Sequence, residues 1–477
     1  MNTPTSRRHF LRAAAGLAAA AGQGLPRFSA PLATSLAGLG ALAAQSSSAA
    51  DLSGPYKALV CLFMNGGNDS HNWVVPTDPT GYAEYAAARR ELAWPAAKLL
   101  PISSTGQAAG RSFGMPAELA PLRRWYESGQ AAIVANVGPL LRPITKAEYH
   151  AGIGRPSKLF SHNDQASTWQ SLSPEGARSG WGGRMGDILM SANAYPMFTA
   201  VSATGNAVFL SGSSVTQYQV DAEGPVAVSG LSSASIFAAA TGPAALRRTL
   251  AAAGTTPLQA EYTRVMQRSL GSDTLLQTAL PGVNVPAIPA TPITLGTGGD
   301  ITLDQDSLAR QLRMVAKLIG AGQALGMRRQ VFMVSMGGFD SHADQMRDQP
   351  SQMARVAHSI DYFLSAMSTM GLLNNVALFT ASDFGRTLLS NGSGCDHGWG
   401  SHHFVAGGAV SGRNIHGRFP ATALGSADDV GSGRLLPAYS VAQMAAPMGR
   451  WMGLSATDIA TVLPSIGSFD AQALRFI

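Results

Sequence analysis

The sequence predicts an α/β fold with a doubly wound, mostly parallel sheet, and three kinds of observation predict it. Short apolar runs are continuous rather than alternating, as in parallel strands buried on both faces. Segments with apolar residues three and four apart lie between them, the pattern of amphipathic helices. The two patterns alternate along the chain, which is the signature of strand–helix–strand units.

The strand candidates are Ala58–Met64, Ala131–Ala135, Val331–Met336 and Val376–Thr380. The helix candidates are Leu119–Glu127, Leu308–Leu325 and Met353–Met370. The stretch from about 206 to 300 differs. It is rich in Gly, Ser, Thr and Pro, and it offers one good helix, Leu258–Leu280, then an extended loop from Pro281 to Gly299. We read it as an insertion in a domain spanning 51–477. With 53 glycines and 27 prolines in 477 residues, many turns and structured loops are expected.

Residues 1–50 read as a signal segment. Ser6-Arg7-Arg8-His9-Phe10-Leu11-Arg12 precedes a mildly apolar stretch, Ala13–Ala21, which fits a twin-arginine export signal cleaved near Ala49 and Ala50. Gly22, Gly24, Pro26 and Arg27 break the apolar run before it reaches roughly 18 residues, so no membrane anchor is expected. The expected destination is the periplasm or the exterior, with the twin-arginine translocase as a partner during export.

The net charge of +6 does not point to nucleic acid. Four of the 34 basic residues lie in the first fifty, which hold no acid. The remainder carries 30 basic against 28 acidic residues with no basic stripe. Cys61 falls in an apolar run and reads as a small core residue.

Open α/β sheets bind ligands beyond the carboxyl ends of their strands. Five polar segments stand at such ends or in loops: Asn65–Asn72, Phe160–Gln165, Gly337–His342, Ser382–Thr387 and Asp396–His403. Six of the ten histidines lie in them. A carboxylate–imidazole mixture suits zinc or a similar divalent ion. Asp340 and His342, two apart, would share a face in extended backbone, whereas adjacent His402 and His403 would point oppositely. Asp383 ends a strand as either a ligand or the orienter of one. Blander readings stand beside these: a tight turn for Asp69, a core histidine for His162, and a salt bridge between Arg386 and Asp383.

The twin-arginine start, Phe63-Met-Asn-Gly-Gly-Asn-Asp69, Phe160-Ser-His-Asn-Asp-Gln165, Gly338-Phe-Asp-Ser-His342, Ser382-Asp-Phe-Gly-Arg-Thr387 and Asp396-His-Gly-Trp-Gly400 together resemble the bacterial domain-of-unknown-function family 1501. That family is in turn similar to the alkaline phosphatase and sulfatase superfamily. The resemblance implies an alkaline phosphatase-like fold with one or two divalent metals, zinc first, calcium, magnesium or manganese otherwise. It implies a metal set drawn from Asp69, Asp340, His342, Asp383, His397 and His402.

For catalysis it implies Ser161 as nucleophile with Ser70 behind it, His162 beside it, and Arg386 steadying an oxyanion. Two positions depart from the superfamily pattern. Asn65 stands where many relatives ligate through Asp, so Asp69 would substitute. Phe384 stands where phosphatases commonly have His, so His397 would fill that role. The sulfatase Cys-x-Pro-x-Arg pattern, a Gly-x-Ser-x-Gly elbow, a His-Glu-x-x-His helix and a P-loop are absent. The expected function is a metal-dependent hydrolase of phosphate or sulfate esters on small molecules or polymers. The alternative is a non-catalytic envelope- or carbohydrate-binding protein on the same fold.

Overall fold

A computed structural model describes residues 50–225, 230–231, 234–236, 238–252 and 256–477. The export-signal reading lies outside the described residues. Among them, nine strands form one sheet: β1 (Lys57–Met64), β2 (Ala131–Gly138), β3 (Ala200–Ser202), β4 (Tyr218–Gln219), β5 (Arg329–Met336), β6 (Val376–Ser382), β7 (Ser401–Ala406), β8 (Ile415–His416) and β9 (Tyr439–Ser440). The order is β8-β2-β7-β6-β1-β5-β3-β4, with β9 also pairing β2. All pairings are parallel except those of β7, which opposes both β6 and β2.

The continuous apolar runs have the cause the sequence implied. Along β1, Ala58, Val60, Leu62 and Met64 enter one core, while Leu59, Cys61 and Phe63 enter another on the opposite face. Helices α1 (Ala120–Glu127), α2 (Ser307–Ala321) and α3 (Gln345–Thr369) supply apolar residues to the first core. Helices Trp181–Leu189 and Val441–Trp451 supply the second. Both faces are therefore buried, which leaves the strand ends as the place for polar chemistry. The carboxylate of Asp306 caps α2 by accepting from the Leu308 and Ala309 N–H groups.

The structure revises several boundaries. Helix α3 begins at Gln345 rather than Met353 and carries Pro350 in its second turn, where a ring without an N–H masked the helical pattern. The segment read as a loop, 396–403, instead contributes to strand Cys395–His397, paired with Arg386–Ser390, and to β7. Within 206–300, Tyr218–Gln219 joins the main sheet as β4, and Gly242–Leu250 forms a helix besides Pro257–Ala279. The extended stretch ends in a short hairpin pairing Ile293–Thr294 with Asp300–Ile301. Cys61 and Cys395 are both buried and free. Among the described residues, no helix is long and apolar enough to cross a membrane.

Candidate metal centre

The ends of β1, β5 and β6, together with the hairpin that follows β6, bring a set of polar side chains together. The β1 end turns sharply through Gly66 (φ 116°) and Gly67 (φ 82°). A Cβ on Gly66 would stand 2.5 Å from the backbone nitrogen of Asp340, and one on Gly67 would stand 2.3 Å from the Phe384 ring. Only glycine permits this approach of the two strand ends.

Asp340 lies at the centre of the cluster. Its Oδ1 is 3.1 Å from His342 Nε2 and 3.4 Å from His397 Nε2, and its Oδ2 is 3.4 Å from His162 Nε2. The Arg386 guanidinium also donates to Oδ1. His162, Asp340 and His397 each offer a ligand atom within 4.8 Å of the others. His342 adjoins them, with its Nε2 at 2.9 Å from His397 Nε2.

Each ring is held from behind. His162 Nδ1–H donates to Asp383 Oδ2 at 2.7 Å, and His397 Nδ1–H donates to the Phe160 carbonyl at 2.8 Å. Asp396 Oδ1 lies 3.4 Å from His342 Nδ1. A neutral imidazole whose Nδ1 carries the proton presents a lone pair at Nε2, the arrangement found where an outer acceptor orients a metal-ligating histidine. Arg434 Nε donates to the His397 carbonyl at 2.8 Å, and its guanidinium stacks over the Phe160 ring at 5.2 Å. Phe384 fills the space beside the rings, 4.8 Å from His162 and 4.5 Å from His397.

Electrostatics follow from these contacts. Partial burial would raise the Asp340 carboxyl, but the Arg386 hydrogen bond and charge, with His342 and His162, outweigh it and hold it below its ordinary range. Burial pushes the Asp383 carboxyl up, against the His162 and Gly66 hydrogen bonds. Its Oδ1 is buried with no hydrogen-bond partner. Burial lowers His397, and the nearby Arg386, His162 and His342 charges add to that shift, against the Phe160 carbonyl. An uncharged His397 suits a ligand.

The sequence-predicted residues divide. Asp340, His342, His397 and His162 converge, with Arg386 and Asp383 in contact with them. His162, read from the resemblance as catalytic, points its Nε2 into the cluster. Asp383, read as either a ligand or the orienter of one, stands behind it as the acceptor for His162 Nδ1. Arg386 contacts Asp340 rather than Asp383, and is fully buried. Its Nε and Nη groups donate to the carbonyls of Gly66, Gly67, Phe339 and Cys395.

Two residues are placed elsewhere. Asp69 is buried as the ion-pair partner of Arg89, with both side chains 0% exposed. It also accepts from Gln345, and its other oxygen caps the short Ser70–Asn72 helix through the His71 N–H. His402 is buried against Phe419, with ring centroids 4.4 Å apart, and its Nδ1 lone pair accepts from the Asn136 N–H at 3.1 Å. His403 points the other way, onto Trp169 at 4.5 Å. Ser161 donates its hydroxyl to Asp164 Oδ2 at 2.8 Å, and the Ser70 hydroxyl accepts from the His402 N–H. Phe160 opens a motif the sequence flagged, but its role runs through its carbonyl, which no side-chain pattern reveals, and Arg434 had no signal because its contacts are made only after folding.

Fold and site together define a mixed α/β protein with an imidazole–carboxylate cluster at the strand ends of a mostly parallel sheet. The chain belongs to the family described as "Protein of unknown function (DUF1501)", which matches residues 56–463. No curated protein matches it. Among solved structures it is similar to a 4S-sulfatase of Bacteroides thetaiotaomicron, at 10% identity over 85% of this chain and 74% of that one, TM-score 0.34. It is also similar to the PsFucS1 sulfatase of Pseudoalteromonas sp., at 10% identity over 89% and 73% of the two chains, TM-score 0.34.

Proposed function

We propose that the chain is an exported, metal-dependent hydrolase of phosphate or sulfate esters on an alkaline phosphatase-like fold. The observation that carries this reading is the convergence of imidazole Nε2 atoms on Asp340, with His162 and His397 each held at Nδ1 by an acceptor. Two nitrogens facing each other at 2.9 Å, as in His342 and His397, repel unless a proton or a cation stands between them. The donor set fits a divalent ion, zinc above all, with calcium, magnesium and manganese as alternatives.

His162, Asp340 and His397 would hold the ion, with His342 at the edge of the group. When bound, such an ion lowers the pKa of a coordinated water toward about 7 and polarises an ester oxygen. The protein's own contribution is placement. Asp383 fixes the His162 tautomer. Arg386, already engaged on four carbonyls, anchors the Asp340 carboxylate rather than swinging onto a substrate. The Ser161 hydroxyl donates to Asp164, a carboxylate able to take its proton, so Ser161 is the nucleophile of this reading and a coordinated water the alternative. Residues 1–50 act as the twin-arginine signal, directing the chain through the translocase to the periplasm or exterior; nucleic acid and a stable membrane anchor have no part.

Elemental analysis of protein exported from its own cells, with a screen of chromogenic phosphate and sulfate esters, tests the proposal. Asp340→Ala is expected to abolish metal retention and turnover, and His342→Ala, at the edge of the group, to weaken both. Metal-free protein without metal-stimulated activity overturns it. The non-catalytic envelope- or carbohydrate-binding reading is favoured by one observation, that the apolar ring of Phe384 packs against both His162 and His397. Under that reading the same substitutions alter stability and leave ligand affinity intact.

A further inference from the structure

A second feature lies beside the cluster. A cavity of about 470 Å³ opens at the ends of β1, β5 and β3. This lies within the range of about 300–1,000 Å³ typical of small-molecule sites. Its wall includes Asn163, the residue after His162, and Asn65, the residue before Gly66, so it adjoins the metal centre along two chain segments.

The lining has one chemical character. Asn65, Asn163, Gln170 and Asn206 bring amides, and Ser167, Thr204 and Ser335 bring hydroxyls. Among the described residues that line it, Glu175 is the one charged group, and there is no Lys, Arg, His or aromatic side chain. Two of the amides have their oxygens tied down. Gln170 Oε1 accepts from the Phe209 N–H at 3.1 Å, and Asn206 Oδ1 accepts from Gln217 Nε2 at 3.2 Å. Their NH₂ groups are thereby left as donors. Asn65 and Asn163 are exposed and offer a donor and an acceptor each. Met333, Ala166 and Val208 provide apolar patches between the polar groups.

This chemistry discriminates among ligands. With no cation among its described lining and a carboxylate at Glu175, the cavity disfavours a sulfate or phosphate, so the charged ester group belongs at the metal centre. Without an aromatic ring it has no stacking platform for a nucleobase or aryl group. Neutral amides interspersed with small apolar patches match a ring bearing several hydroxyls, each both donor and acceptor. We propose that this cavity is a subsite for the uncharged, polyhydroxylated part of the substrate, a sugar ring. The proposal rests on the ester-hydrolase reading for what lies next to the ring, but the cavity itself needs no metal.

The test is calorimetric titration of the full mature chain with cellobiose, maltose and galactobiose, with inorganic phosphate and 4-nitrophenol as contrasts, with and without chelator. At least one disaccharide is expected to bind at millimolar concentration or below, unaffected by chelation. Asn163→Leu and Asn206→Ala, both at exposed positions, should each weaken it about fivefold or more without changing the melting temperature. Failure of all three disaccharides to bind, binding that both variants leave unchanged, or binding of 4-nitrophenol that the variants abolish overturns the subsite. Ester turnover without disaccharide binding sinks the subsite alone, whereas disaccharide binding by protein that retains no metal and turns over no ester sinks the hydrolase alone.

Discussion

The carbonyl of Phe160 accepts the His397 Nδ1–H at 2.8 Å, and Phe160 presents it from a left-handed backbone, φ 71°. A bulky residue there is strained, and such strain persists only where surrounding contacts enforce it. Arg434 supplies two of those contacts, to the Phe160 ring and to the His397 carbonyl. The pair sets which nitrogen of His397 faces Asp340.

Arg434→Ala should therefore lower metal affinity about 10- to 100-fold, the usual cost of losing an outer-sphere support, with a smaller effect on stability. Calorimetric titration with zinc measures the first, and urea unfolding the second. Unchanged zinc affinity would remove Phe160 and Arg434 from the site.

Asp69 offers a contrasting case. Asp69→Ala leaves the Arg89 guanidinium buried without its carboxylate, which should cost about 3–5 kcal/mol of stability. Folded protein should still retain its full complement of metal. A variant that stays stable yet loses metal would return Asp69 to the ligand set.

Gly66→Ala meets the backbone nitrogen of Asp340 at 2.5 Å from a φ of 116°. Backbone cannot move aside as a flexible side chain can, so we expect a loss of about 2 kcal/mol or more and displacement of Asp340. Denaturant midpoints check the stability, and metal retention reports the displacement.

Three buried histidines set an acid limit. Burial lowers His71 to about 4, His403 to about 3, and His402 well below the ordinary value. Each folded value lies under the unfolded value of about 6.5, so the unfolded chain takes up protons first as pH falls. Stability is thus full above about pH 6.5 and is lost progressively toward pH 4 and 3, by several kcal/mol in total. Urea midpoints at pH 7 and pH 4.5 should differ clearly, and equal midpoints would contradict this. The His403 ring is buried against Trp169, so His403→Leu should flatten the acid slope while keeping that apolar contact at pH 7.

How much was readable in advance varies by element. Strands β1, β5 and β6 were legible because burial on both faces requires unbroken apolar runs, and adjacent His402 and His403 did point oppositely because strand side chains alternate. Helix α3 was read short because Pro350 interrupts a pattern that depends on local periodicity. The polar strand ends were visible as composition, but their partners were not.

The sequence by itself determined the α/β alternation, the buried strands and the crowding of histidines at strand ends, since each is written in residues a few positions apart. Only the tertiary structure decided that His162 meets Asp383 from 221 positions away, that His342 meets His397, and that Asp69 turns to Arg89. The reason is physical: local patterns fix which face a side chain leaves from, whereas strand order and the Gly66–Gly67 turn fix what it finds there.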